Sequence, residues 1–325
     1  MTLHPAVAAV RLAVRRDLAD VREGPLLVAC SGGADSIALL AATVFEARGS
    51  DRRVIGVTVD HGLQEGSSEH AERVVAQMVR LGASETVSVR VHVDPGGRGV
   101  EAAAREARYA VLEEVAARMD SGVVLLGHTL DDQAETVLLG LARGSGGRSI
   151  AGMRPAFGPF RRPLLGITSQ QTVAACEAEG IDFWRDPHNE DPRFTRARVR
   201  ARVMPVLEEE LGPGVAAALA RTAESLRPDM EALDLFAARA IEEVRGPDGI
   251  DRGRLVTLEP ALVGRVLRLS ALEAGAVDSE LFRVHVQALT ALVHGVVRGE
   301  VQLPGHVTAY LHEDHLRFRP TSVES

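Results

Sequence analysis

Residues 31–36 read Ser31-Gly32-Gly33-Ala34-Asp35-Ser36, set between an apolar run and an apolar helix-former. Two glycines keep side chains out of the way of a close approach. A helix starting here turns unpaired N–H groups and the positive end of its dipole toward the same point. Ser31 and Ser36 add hydroxyl donors, so the chemistry on offer is anion binding. An acid beside a phosphate, Asp35, makes sense with a divalent metal such as Mg2+ between the two. A bare strand-to-helix turn with one capping residue would need far less.

A second group of reactive types is His128-Thr129-Leu130-Asp131-Asp132-Gln133-Ala134-Glu135-Thr136. A helix beginning near Leu130 gathers Asp131, Glu135 and Leu138 on one side and sends Asp132 to the strand edge. Acids in a first helical turn also complement the helix dipole. That explains one acid, not a histidine and three acids within nine residues.

The net charge of −8 argues against a nucleic-acid partner until its distribution is seen. Residues 143–205 hold eleven arginines against six acids, and Phe157, Phe160, Phe183, Trp184 and Phe194 there are five of the chain's eleven aromatics. Guanidinium groups for phosphates beside rings for stacking suit RNA; a solvated arginine face is the plainer reading. All 37 basic residues are arginine, which excludes a lysine nucleophile, a Schiff base and a Walker-type phosphate lysine. Cys30 and Cys176 stand alone, without CxxC or Cys/His spacing, as reduced, packed thiols.

The elements that must position these groups are legible as alternation. Residues 26–30, 53–60, 86–93 and 122–128 are β-branched or continuously apolar, as strands covered on both faces must be. Helical patterns lie between them at about 35–48, 67–82 and 100–119, and a fourth follows at about 131–142. Such repetition predicts a parallel sheet with ligands at the carboxyl ends of its strands. SGGADS, Asp60-His61-Gly62-Leu63 and HTLDDQAET all fall at such ends. Further on, 143–165 reads as loop followed by a short strand or extended segment, and helices are expected at about 168–180, 196–210, 214–226, 229–244, 258–274 and 278–298. Three strand-like runs close the chain near 299–303, 306–312 and 315–319, and Leu211-Gly212-Pro213-Gly214 is the best linker. No apolar run approaches the roughly 18 residues of a membrane helix, and a cytoplasmic protein is expected.

SGGADS resembles the pyrophosphate loop of the N-type ATP pyrophosphatases. Together with VDHGLQEGS (59–67), EAAAREARY (101–109), GHTLDDQAETVLLGLARGSG (127–146), GMRP (152–155), RRPLL (161–165) and DPHNEDPRFTRARVRARVMPVL (186–207), the chain resembles the tRNA(Ile)-lysidine synthetases over about its first 225 residues. The resemblance implies an α/β fold. A parallel-sheet PP-loop ATPase domain of the adenine nucleotide alpha hydrolase kind (1–212) would precede a smaller, mostly α tRNA-recognition domain with a few short strands (213–325). It implies ATP, Mg2+, L-lysine and a CAU-anticodon isoleucine tRNA as reactants and partners, with a homodimer left open. ATP adenylates the wobble cytidine at O2, releasing pyrophosphate, and the ε-amine of lysine then displaces AMP, which changes the codon read from AUG to AUA.

By the same resemblance, Ser31, Gly32, Gly33, Ala34, Asp35, Ser36 and His128 bind ATP, and Asp35 orients the metal. Asp132 and Glu135 hold the lysine ammonium and help to remove its proton. Arg105 or Arg108 meets an ATP phosphate or the adenylated intermediate, although each also suits an i,i+4 pair on a helix. Asp35, Asp132, Arg105 and Arg108 are then the catalytic set. Arg196 and Arg200 fall on the family's tRNA-binding arginines, but Ala197 stands where the family has asparagine and Val199 where it has isoleucine. A tRNA thiolation enzyme would need paired cysteines, and a nucleotide sensor has no need of HTLDDQAET. The alternative is an amidating synthetase acting on a small acid or nucleotide.

Overall fold

The computed structural model describes residues 3–21, 23–60, 62, 66–91, 100–144, 146–186, 191–278 and 280–321, with only the backbone of 100–102. His61, Leu63, residues 92–93 of the expected third strand, Ser145 and 187–190 of the DPHNED segment lie outside the described residues.

In chain order the elements are α1 (Pro5–Asp17), β1 (Leu26–Ala29), α2 (Ala34–Ala47), β2 (Val54–Asp60), α3 (Ser67–Leu81), β3 (Glu85–Arg90), α4 (Val100–Arg118), β4 (Val123–Leu126) and α5 (Leu130–Ala142). Then come α6 (Gly147–Ile150), β5 (Ala156–Phe157), β6 (Phe160–Arg161), α7 (Ser169–Ala178), α8 (Thr195–Arg198), a π-helical turn (Val199–Val203) and α9 (Met204–Glu210). The chain ends with α10 (Val215–Val244), β7 (Arg245–Gly246), β8 (Gly249–Asp251), α11 (Arg252–Leu255), α12 (Pro260–Glu273), α13 (Arg283–Val293), β9 (Glu300–Leu303), β10 (Val307–His312) and β11 (His315–Pro320). Two compact units form, Met1–Thr136 with Met153–Ala220, and Val137–Gly152 with Arg221–Ser325.

In the first unit a six-stranded sheet runs β3-β2-β1-β4-β6-β5. Only β5 is antiparallel to its neighbour. Continuous apolarity in β1 has its cause in two covered faces. Leu26 and Val28 join a core made with Val7, Val10 and Val14 of α1, Ile37 and Leu40 of α2, and Ala175 of α7. Leu27 points the other way, to Leu112, Val115 and Ala116 of α4. Because β2 and β4 flank β1, chain order reverses there, and the crevice at the carboxyl ends of β1 and β4 is where such a sheet holds its ligands. Gly127 lets β4 leave close to α2: a Cβ there would lie 3.0 Å from the Ser36 nitrogen.

The second unit is mostly helical with a five-stranded antiparallel sheet, β7-β8-β11-β10-β9, as expected of a C-terminal part with short strands. Ile241 and Val244, Val266 and Leu267, Leu289 and Leu292, and the strand residues Ala309 and Leu316 share one core. Glu313 and Asp314 both take positive φ, which closes β10 onto β11 by a two-residue turn.

Three local expectations give way. The break between 226 and 229 is absent, because α10 runs through Pro228 as one helix. The expected helix at 278–298 contracts to α13, and the loop carries the one-turn α6, while the short strand or extended segment expected after it is the β5–β6 hairpin. No helix among the described residues is long and apolar enough to cross a membrane.

Candidate active site

β1 hands the chain through Cys30 to Gly33 into α2, whose N-terminus has no side-chain cap. The Ser36 hydroxyl donates to the Gly33 carbonyl at 3.0 Å and accepts the Ser31 N–H at 3.2 Å, folding the loop onto itself. The two glycines differ in purpose. Gly32 has φ +87°, and a Cβ would lie 2.7 Å from Val74 and 3.1 Å from the His70 ring. Gly33 meets nothing nearer than Ser31 Oγ at 3.7 Å. Space is therefore open at Gly33, while the fold itself demands Gly32. From the outer side, the His70 Nε2 lies 2.9 Å from the Ser31 carbonyl and the Trp184 N–H donates to the Gly32 carbonyl at 2.9 Å. The two rings are 3.8 Å apart. Gly32→Ala is expected to cost about 2–4 kcal/mol through the left-handed backbone and the clash. Thermal unfolding should register that loss, with Gly33→Ala leaving the midpoint nearly unmoved.

Asp35 opens α2 and accepts a hydrogen bond from the Thr172 hydroxyl of α7. Burial pushes its carboxyl up to about 6; Asp132 and Asp131 push the same way, against the Thr172 bond and Arg200. A buried acid crowded by acids gains from a cation. Among the described residues no three His, Cys, Asp or Glu converge as a metal cage. One carboxylate beside a phosphate loop nevertheless suits Mg2+, which keeps waters and takes most other ligands from substrate. Asp35 binds its proton more tightly folded than unfolded. Its stabilising contribution is therefore full below the unfolded pKa and lost as pH rises through about 6. A cation competes with that proton, so Mg2+-dependent ATP binding should weaken as pH falls from 7 to 5. Asp35→Asn should flatten that profile in a titration.

At the end of β4 the second acidic group is held from three sides. The Asp132 carboxylate accepts the Thr129 N–H at 2.9 Å and the Thr129 hydroxyl at 3.1 Å, the acid half of a capping box for α5. Its other oxygen accepts from Arg200 Nη2 at 3.0 Å. Glu135, only 1% exposed, accepts from Arg200 Nε at 2.6 Å and lies 3.4 Å from Arg196 Nε. Burial raises its pKa against the pull of both arginines. Arg196 and Arg200, four apart across the π-helical turn, thus face the two acids, while Ala197 and Val199 are buried. Asp131 does not join Glu135 as the spacing suggested: its carboxylate caps α7 through the Ser169 N–H at 2.7 Å.

His128 lies on the opposite flank. Its Nδ1 accepts from Arg162 Nε at 3.3 Å, which puts any ring proton on Nε2. Burial first, then Arg162, Arg108 and Arg105, hold its pKa down to about 3 against Asp132, so the ring is neutral. Arg105 and Arg162 both donate to the Tyr109 phenol, at 3.4 and 3.2 Å. The buried thiols of Cys30 and Cys176 are pushed up to about 12, chiefly by burial, and are inert.

The structure so gathers Asp35, Asp132, Glu135, Arg196 and Arg200 into one charge network, with Arg105, Arg108 and His128 beside it. The sequence reading missed Thr172, Ser169, Tyr109, Arg162 and His70, and it offered Trp184 as a ring for RNA where the structure packs it on His70 and Gly32. Only Tyr109 and Arg162 stood inside quoted segments.

Residues 9–207 match the PP-loop domain family. A tRNA(Ile)-lysidine synthase of Streptomyces coelicolor is 47% identical over 94% of this chain and 96% of its own. One from Thermobifida fusca is 52% identical over 93% and 94%. Among solved structures, the U34-tRNA thiolase NcsA of Methanococcus maripaludis, with its 4Fe-4S cluster, superposes with a TM-score of 0.57 at 17% identity, covering 68% of this chain and 78% of that one, a likeness of fold. With a PP-loop domain over more than half its length and relatives of about half identity along nearly all of it, the chain belongs to the tRNA(Ile)-lysidine synthase family, ATP-dependent ligases that form lysidine in tRNA.

Proposed function

We propose that this chain joins free L-lysine to C2 of the wobble cytidine of a CAU-anticodon isoleucine tRNA in two steps. ATP adenylates the C2 carbonyl oxygen and releases pyrophosphate; the lysine ε-amine then attacks C2 and displaces AMP. The N–H groups at the start of α2, with Ser31, Ser36 and neutral His128, receive the nucleotide. Asp35 holds Mg2+, which when bound neutralises charge on the departing pyrophosphate. Arg105 and Arg108 face the developing phosphate charge. Asp132 and Glu135 bind the ammonium and draw off its proton, because an ammonium has no lone pair with which to attack. The C-terminal unit recognises the tRNA.

One observation carries most weight. Asp132 and Glu135 converge on a single cation at the end of a long aliphatic side chain, the Arg200 guanidinium, beside the phosphate loop. A lysine side chain carries the same charge on a similar stem. The test is incubation with ATP, Mg2+, labelled lysine and a CAU-anticodon isoleucine tRNA transcript. Label is expected in the RNA; none, with glutamine-dependent AMP formation on a small acid instead, would replace this reading by an amidating synthetase.

A further inference from the structure

Arg162 and Arg108 bury their guanidinium groups beside Tyr109, with Arg105 exposed next to them and Asp132 acting on Arg108 from a distance. Arg162, 5% exposed, donates to the Arg154 carbonyl at 2.6 Å, the Tyr109 phenol at 3.2 Å and the His128 imidazole at 3.3 Å, all neutral. Arg105 converges on the same phenol at 3.4 Å. Arg108 Nε is sealed from solvent and has no hydrogen-bond partner. Burial lowers the pKa of Arg108 and Arg162; the charge of Arg105 adds to the effect on both, and that of Arg108 to the effect on Arg162. The pKa of Tyr109 is lowered as well: burial raises it, but Arg105, Arg162 and Arg108 together bring it below the ordinary phenol value. Accepting from two guanidinium groups, the phenol keeps its own proton free to donate.

A buried guanidinium group hydrogen-bonded to neutral partners alone, as Arg162 is, is costly, and with two more arginines beside it the place awaits an anion. Donors from α4 and from the end of β6 approach from different directions, which suits a tetrahedral oxyanion better than a planar carboxylate. We infer that Arg162 and Tyr109 complete, with Arg105 and Arg108, a second phosphate pocket, separate from the glycine loop, that takes a singly charged phosphate. Resting on the proposed reaction, its source is either the α-phosphate of the nucleotide or a phosphodiester of the RNA strand.

The test is equilibrium binding to wild type, Arg162→Gln and Tyr109→Phe, with thermal midpoints recorded for each. Saturating pyrophosphate fills the glycine loop while AMP is titrated; an anticodon stem-loop RNA is titrated separately over a range of salt. Either ligand is expected to lose about tenfold in affinity with Arg162→Gln, as for a lost charge-assisted hydrogen bond, and about threefold with Tyr109→Phe. A loss confined to AMP assigns the pocket to the nucleotide. A loss confined to RNA, with a salt slope lower by about one, assigns it to the strand. Unchanged affinity for both ligands in folded variants overturns the pocket and leaves Arg162 as a strut between β6 and α4. Tyr109→Phe keeps the ring, so it decides the matter should Arg162→Gln fail to fold. None of these readouts needs lysine transfer, so failure of the proposed reaction and failure of the pocket are distinguishable.

Discussion

Asp132→Asn is expected to leave tRNA bound and to cut lysine transfer by about a thousandfold, within the range for loss of a catalytic base. The variant separates chemistry from folding because an amide oxygen can still accept the Thr129 N–H that Asp132 accepts at 2.9 Å. The capping loss should stay near about 1 kcal/mol. What disappears is the charge that faces Arg200 at 3.0 Å and, in the proposed reaction, the lysine ammonium. Single-turnover assays should show pyrophosphate release retained and labelled lysine absent from the RNA. Transfer at the wild-type rate would remove Asp132 from the site.

The second large effect is expected from Arg200→Ala, in stability and in RNA binding together. Glu135 is 1% exposed, and its Oε2 has no hydrogen bond, only Arg196 at 3.4 Å. Removing Arg200 takes away its best partner and leaves a carboxylate in the interior. Breaking a buried pair costs about 3–5 kcal/mol; with Arg196 remaining and Arg200 partly solvated, about 2–3 kcal/mol is expected. The Glu135 pKa, already raised, must rise further. A carboxyl that binds its proton more tightly folded than unfolded loses stabilisation as pH rises, so the deficit should be larger at pH 8 than at pH 5. Glu135→Gln in the same chain should restore much of the midpoint. Were Arg200 only a phosphate contact, the midpoint would stay and tRNA affinity alone would fall, with a shallower salt slope.

Both acidic clusters were legible because their residues are contiguous, so type and spacing alone announce them. The parallel sheet was legible because strands buried on both faces have no polar alternation to confuse. The Arg162–Tyr109–His128 group was not, since β6 reaches β4 only through a two-residue strand too short to leave a period. Arg196 and Arg200 showed their mutual i,i+4 spacing but not what they faced, because Glu135 sits on another helix. Pro228 announces a break that α10 ignores. The β7–β8 hairpin went unread, its strands of two and three residues being too short to leave a period, although Gly249 at φ +126° opens β8.

The first turn of α7 touches both halves of the site. Thr172 holds Asp35, while Ser169 meets Thr129 at 3.0 Å and presents its N–H to Asp131. Thr168 and Gln171 pin that turn by a capping box. In the proposed reaction, two steps on one base, the second reagent must arrive where the first left its mark. The distance between those two places is therefore gauged by a single turn of helix, about 5 Å of pitch, and not by the slack of a loop.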